Sequence, residues 1–283
     1  MALTIEDFNT NIKNTWCSGC GNFAIHLALK KTFLELNLSP SDILITFDIG
    51  CNGNGADDIE AYRFKGLHGR SIPLAAGAHL ANSRMKVIAD IGDGGVLHEG
   101  IDHLIHAIRS NYDITILIHN NQNFALTTGQ ATSTTKENKP MYALPDGKPE
   151  GSINIGELVL SLNPTFFARG YSGDPEQLKE IIKEGINHKG CSVIEVMQLC
   201  PTYNPECNTD WFKERILPTT TKATISEAVA IVKDTEKIYT GIIYRNRNRL
   251  DFLNKLENRK EKKTELVDEV KNHDIQDIIS FYI

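Results

Sequence analysis

The sequence predicts an α/β protein with a doubly wound, mostly parallel sheet and helices on both faces. Three observations predict it. Short apolar runs rich in β-branched residues alternate with longer helix-like runs. The apolar runs are continuous rather than alternating, as in strands covered on both sides. Turns rich in Gly, Asn and Asp follow several of them, and the loops beyond strand carboxyl ends carry the ligands in such sheets.

Taken in order, the helix-like run at 21–38 precedes a strand at 43–50, "ILITFDIG". A helix at 72–83 leads to a strand at 85–92, "MKVIADIG". Residues 95–111 read as a helix with a strand at 113–120, "DITILIHN", behind it. Residues 131–153 are polar and hold three prolines, which predicts a surface loop too long to be idle in a compact domain. A helix at 154–163 and a strand at 165–173 follow. The helix at 174–189 opens with Asp174 and Pro175, a cap and first-turn pair, and a strand at 191–199 comes next. Beyond Cys200 the pattern turns irregular, with one more strand at 237–244 and mixed-charge helical turns at 245–272. No internal repeat is visible.

The 283 residues suffice for one large α/β domain or two small ones, and 41% hydrophobic content supports a sizeable core. A net charge of -6 argues against general affinity for nucleic acid. No window of 18 or more apolar residues predicts a membrane span. The start, "MALTIEDFNT", lacks the basic and apolar regions of a signal peptide. A cytoplasmic location is expected, and with it six reduced cysteines.

The stretch "ADIGDGGVLHEG" places Asp93 among glycines at a strand end, where the backbone can bend and approach a ligand. A carboxylate there can hold a hard divalent cation, and Mg²⁺ bridges protein oxygens to phosphates. Asn120 and Asn121 end the next strand, after 25 intervening residues at 95–119. Strand, crossover helix and adjacent strand fill that gap, so Asp93 and Asn121 can meet at neighbouring tips. An ordinary strand-to-helix turn is the alternative. His98, His103 and His106 recur on the following helix and are expected on its surface. "GCNGNG" is only weakly like a nucleotide glycine loop.

Cys17 and Cys20 stand in "WCSGCG" with Cys-x-x-Cys spacing, which fits a dithiol, half a zinc site or part of an iron–sulfur site. No second such pair exists, and Cys51, Cys191, Cys200 and Cys207 stand singly. Cys51 and Cys200 follow strand ends, and Cys20 opens a helix whose dipole favours a negative ligand. Two loop cysteines with this pair could close a four-thiolate site.

"GDG" followed after 25 residues by "NN" resembles the thiamine diphosphate motif. The order of "WCSGCG", "IGC", "HGR", "GDG", "NNQNFALTTGQ" and "CPTYN" resembles a narrower family, the β subunits of 2-oxoacid:ferredoxin oxidoreductases. The likeness covers roughly 14–216, and "YTGIIY" near 239 also fits. It implies the thiamine diphosphate-binding fold, with Mg²⁺ on Asp93, Asn121 and the carbonyl of Asn123. A [4Fe–4S] cluster is implied on Cys17, Cys20, Cys51 and Cys200. Cys191 is then a buried structural thiol, with Cys207 a rival fourth ligand. His68 is implied beside the diphosphate, Leu126 as the prop for the bent cofactor, and Thr128 with them near the reaction. Ile49, Gly50, Gly69, Gly92, Gly94, Gly95, Phe124, Ala125 and Thr127 complete the implied cofactor contacts.

The implied reaction is oxidative decarboxylation of a 2-oxoacid, pyruvate or 2-oxoglutarate, to an acyl-coenzyme A, with electrons passing through the cluster to ferredoxin. An α subunit is implied as well, because the cofactor bridges two domains and this chain has one "GDG…NN" set. The expected assembly is a heterodimer or a dimer of heterodimers. Residues 1–216 are expected to carry both sites, with 217–283 an extension packed on that domain or on a partner. A decarboxylase without electron transfer, a non-catalytic paralogue and a zinc scaffold are the alternatives. The sequence departs from the family at Gly95, where a second Asp is usual, at Thr128, and at "DIGCNGNGAD", which carries Asn52, Asn54 and an upstream Asp48.

Overall fold

The computed structural model describes residues 3–260, 262, 264–270 and 275–282. Its centre is an eight-stranded sheet in the order β2-β1-β3-β4-β6-β5-β8-β7. The strands are β1 (Ile43–Phe47), β2 (Tyr62–Lys65), β3 (Lys86–Gly92), β4 (Thr115–Asn120), β5 (Phe166–Tyr171), β6 (Ser192–Met197), β7 (Ile216–Pro218) and β8 (Ile238–Arg245). All neighbours pair parallel except β5 and β8, which run antiparallel.

Helices cover both faces, as the continuous apolar strands require. On one side α1 (Gly21–Glu35) and α5 (Pro175–Asn187) bury Ile25, Leu29, Phe33, Leu178 and Ile182 against Ile45, Ile88, Leu117 and Ile194. On the other, α2 (Ser71–Ala81), α3 (Ile101–Ser110) and α4 (Ile155–Ser161) bury Ile72, Leu104 and Val159 against Val87, Ala89, Ile116 and Val193. Successive residues of β3, Val87, Ile88 and Ala89, thus feed opposite cores, the period-two rule of a strand. Asp174 caps α5 by accepting from the amide of Gln177 at 3.0 Å, with Pro175 at the first helical position.

The structure departs from the sequence expectations in four places. Strand β2 lies on the edge with all four residues exposed, so it leaves no apolar signature. The run after Cys200 is not wholly irregular: Asn208 caps α6 (Thr209–Arg215), which leads directly into β7. A further helix, α7 (Ile225–Val232), starts at a capping box of Thr224 and Glu227. The helix read at 95–111 is broken into a π-helical turn at Gly95–Glu99 and α3. Gly100 forms the break, and a Cβ there would lie 2.6 Å from the carbonyl oxygen of Gly69. In the charged tail, Leu253–Lys255, Glu257–Lys260 and Leu266–Val270 are helical, while 261, 263, 271 and 272 lie outside the described residues. Among the described residues no helix is long and apolar enough to cross a membrane.

Candidate active site

Strands β3 and β4 are neighbours, with Gly92 opposite His119, so the residues after each emerge at the same end of the sheet. Asp93 and Asn121 therefore line one cavity of ≈ 90 Å³. Asp93 is 1% exposed. Its Oδ2 accepts from the hydroxyls of Thr132 at 2.6 Å and Thr134 at 2.5 Å, both from the long polar loop. Burial outweighs those bonds and pushes the carboxyl up to about 6. Asn121 accepts through Oδ1 from the amide of Asn123 at 3.0 Å, and Gln122 between them has φ 63°, a tight left-handed turn. Asn123 Nδ2 and Asn204 Nδ2 both donate to the Asn121 carbonyl, at 2.8 Å and 3.1 Å. Asn123 Oδ1 is buried without a hydrogen-bond partner among the described residues.

These features fit a divalent cation on a phosphate-bearing ligand. A buried carboxyl without a nearby cation costs free energy when ionised, and the adjoining donor set is all oxygen. The cradle is tight. A Cβ on Gly94 would lie 2.1 Å from the Phe124 ring, so only glycine lets the ring close against this turn.

Ile49, Gly50, His68, Gly92, Gly94, Gly95, Asn123, Phe124, Ala125, Leu126 and Thr127 line the same cavity. Gly69 and Thr128 stand outside that lining. Gly69 donates its amide to Asp48 Oδ1 at 2.6 Å, and Thr128 turns its hydroxyl onto the Thr127 carbonyl at 2.5 Å. His68 Nδ1 lies 2.9 Å from Glu99 Oε2. Asp48 explains the Gly95 departure. A Cβ at 95 would lie 1.9 Å from Asp48 Oδ2, so the carboxylate from the β1 end occupies the space a side chain at 95 would need.

Cys17, Cys20, Cys51 and Cys200 line a second cavity of ≈ 170 Å³. Cys20 caps α1, and its amide donates to the Cys17 carbonyl at 3.0 Å, closing the Cys-x-x-Cys turn. Trp16 Nε1 donates to the Cys51 carbonyl at 2.6 Å and so ties the turn to the β1 loop. Burial and the neighbouring sulfurs push Cys51 up to about 12, and burial first raises Cys20 as well. Thiols raised like those of Cys51 and Cys20 ionise only beside compensating positive charge, such as a metal would supply. Among the described residues no group of three or more His, Cys, Asp or Glu side chains is placed to hold a metal ion. The four cysteines share the lining of one cavity, and thiolates of this kind suit iron or zinc. Cys191 is fully buried at the start of β6. Cys207 packs against Tyr171, Met197 and Phe212 and does not line the cavity.

Apart from Asn52, sequence reasoning missed the buried polar residues that line or back the first cavity. His119 is hydrogen-bonded through Nε2 to Asp90 Oδ2 and through Nδ1 to Asn22 Oδ1, each at 2.9 Å. Gln198 and Asn52 join this group. The available signal was a charged or polar residue inside an otherwise apolar strand, as in "IADIG" and "ILIHN".

Comparisons with known proteins identify the family. The family model of the C-terminal binding domain of thiamine pyrophosphate enzymes matches residues 48–196. The model of the C-terminal part of pyruvate ferredoxin oxidoreductase β subunits matches 200–261. Fold and site thus define a thiamine diphosphate-binding enzyme domain. The β subunit of 2-oxoacid:ferredoxin oxidoreductase 2 from Aeropyrum pernix is 33% identical over 272 residues, covering 91% of this chain and 88% of the relative. The corresponding subunit from Saccharolobus solfataricus is 41% identical over 205 residues, covering 72% and 67%. A solved 2-oxoglutarate:ferredoxin oxidoreductase from Magnetococcus marinus, with 2-oxoglutarate, coenzyme A and succinyl-CoA bound, has the same fold. The TM-score is 0.87 at 24% identity over 99% of this chain and 96% of that one. The chain belongs to the β subunits of 2-oxoacid:ferredoxin oxidoreductases, enzymes that act with partner subunits.

Proposed function

We propose that this chain carries thiamine diphosphate, its Mg²⁺ and a [4Fe–4S] cluster in an enzyme that oxidises a 2-oxoacid, pyruvate or 2-oxoglutarate, to its acyl-coenzyme A. Ferredoxin receives the electrons. The observation that carries this reading is the shared wall: Cys51, Asn121, Ala125, Leu126 and Gln198 line both cavities. A donor bound in one cavity and an acceptor bound in the other would be separated by this shared wall.

When bound, thiamine diphosphate supplies a carbanion for the 2-oxo carbonyl and the cluster a one-electron acceptor, chemistry that side chains lack. Asp93, the Asn121 side chain and the Asn123 carbonyl would hold the Mg²⁺. Thr132 and Thr134 orient Asp93 from behind. Gly94 and Phe124 pack closely in the turn that would receive the diphosphate, and Leu126 lines both cavities. His68, held by Glu99, would face the substrate from the cavity lining, and Thr128 stands just outside that lining beside Thr127. The unit bearing both sites runs on past residue 216, where the sequence placed its end, because β8 pairs with β5 inside the sheet and Ala228, Val232 and Ile243 join its core. An α subunit supplies the second half of the cofactor cleft.

Anaerobic co-purification with the partner, an iron and sulfide assay and a 2-oxoacid screen with a viologen dye test the reading. Iron and acid-labile sulfide at about four each per chain, with dye reduced by one oxoacid, is the expected result. Colourless protein that still decarboxylates would return a decarboxylase without electron transfer. Zinc in place of iron would return a scaffold, and failure to bind thiamine diphosphate a non-catalytic subunit.

A further inference from the structure

Gln198 lies just beyond β6, in the wall between the two cavities. Its backbone is fixed on both sides. The Gln198 amide donates to the Asn120 carbonyl at 3.0 Å, and the Leu199 carbonyl accepts from the Gly21 amide at 3.0 Å. The side chain is 3% exposed. Its Nε2 donates to Asn22 Oδ1 at 3.0 Å and reaches Cys20 Sγ at 3.7 Å, a normal length for a bond to sulfur.

Two features show that this approach is built. A Cβ on Gly21 would lie 2.8 Å from Gln198 Cγ and 2.6 Å from Ser172 Oγ, so residue 21 must be glycine for Gln198 to lie beside Cys20. Gln198 Oε1 is buried without a partner among the described residues. The amide leaves its acceptor end unsatisfied while its donor end serves Asn22 and the sulfur. A thiolate ligand only accepts, so the donor end is the one that can face it. Asn22 is itself held by His119, and His119 by Asp90, which anchors the amide through a buried chain of hydrogen bonds.

We propose that Gln198 is a positioning residue for the iron–sulfur site, whose N–H bond to Cys20 raises the cluster's reduction potential. The inference rests on the four-cysteine reading given above. Reduction adds negative charge that spreads onto the ligating sulfurs, and a donor at one sulfur stabilises the reduced form more than the oxidised one. The same side chain walls the neighbouring cavity, so one residue sets both the separation and the driving force between donor and acceptor.

The test uses the complete anaerobic enzyme with its partner, as wild type, Gln198→Leu and Gln198→Glu. Redox titration of the cluster, followed by EPR, is the readout. Both variants should contain iron as the wild type does. At a fixed potential the ratio of reduced to oxidised cluster should fall about tenfold in Gln198→Leu, which is about 59 mV for a one-electron couple. Gln198→Glu should fall further, since a carboxylate repels the thiolate. An unchanged midpoint in iron-replete variants overturns the inference. Wild-type enzyme carrying ¹⁵N on glutamine side chains gives a check free of folding effects. Pulsed EPR of its reduced cluster should detect a coupled amide nitrogen, and absence of that coupling also overturns the inference. Wild-type protein without iron is a different result, because it removes the four-cysteine reading and this inference with it.

Discussion

Asp93 binds its proton more tightly in the folded chain than in the unfolded one, at about 6 against 3.8. Folding without a cation therefore takes up a proton between those values. Stability is highest below pH 3.8 on this account and falls as pH rises through about 6. The full cost at pH 8 is about 3 kcal/mol, taking 1.36 kcal/mol per pH unit. Asp93→Asn keeps an acceptor for Thr132 and Thr134 and removes the charge. In metal-free protein it should raise the denaturant-unfolding free energy at pH 8 by up to about 3 kcal/mol and change it little at pH 4. It should also abolish the added stability from Mg²⁺ with thiamine diphosphate. An equal destabilisation at both pH values would show that the carboxylate is already compensated. Gly95 carries a second prediction. Gly95→Ala drives a Cβ into Asp48 Oδ2 and should cost about 1–3 kcal/mol by overpacking. In an Asp48→Ala background the same change should cost clearly less, because the space is free. Thermal unfolding of the four proteins in this cycle measures the coupling, and additive costs would show that the two positions do not compete.

At the level of elements, legibility followed burial. The runs at 43–50, 85–92, 113–120, 165–173 and 191–199 became β1, β3, β4, β5 and β6, because strands covered on both faces must be apolar throughout. Strand β2 was invisible because Tyr62, Arg63, Phe64 and Lys65 are all exposed, and only their parallel pairing with Leu44 to Phe47 of β1 makes them a strand. Helices α6 and α7 are short and announce themselves by caps at Asn208 and Thr224 rather than by periodicity. The approach of Asp93 to Asn121 was legible because strand, crossover and strand leave one arrangement for 25 residues. Spacing paired only Cys17 with Cys20. Cys51 and Cys200 join them through tertiary contacts, the Trp16 bond to the Cys51 carbonyl and the Gly21 bond to the Leu199 carbonyl. Thr132, Thr134 and Gln198 act by where a loop or strand end is carried, which no local pattern encodes.

On the scale of the whole molecule, the site opens onto an apolar rim. Leu67, beside His68, is 78% exposed, and Leu126 at the cavity mouth is 47% exposed. Tyr62 and Phe64 stand exposed on the nearby edge strand. Apolar side chains gathered beside a site on an unpaired sheet edge mark a surface that another protein covers. On the proposed reading of one half of a cofactor cleft, the α subunit is the cover expected here. Expressed alone, the chain should show no sustained viologen reduction with any 2-oxoacid, and titration with the partner should restore it along a saturable curve. Leu67→Glu replaces a largely exposed apolar side chain, so it should leave the unfolding free energy of the isolated chain within about 0.5 kcal/mol. In the complex it would bury an unpaired charge, and the partner concentration for half-maximal rate should rise at least about tenfold, equivalent to about 1.4 kcal/mol of lost binding. Equal titration curves for Leu67→Glu and wild type would place the interface elsewhere on the molecule. Turnover by the chain alone would remove the need for a partner altogether.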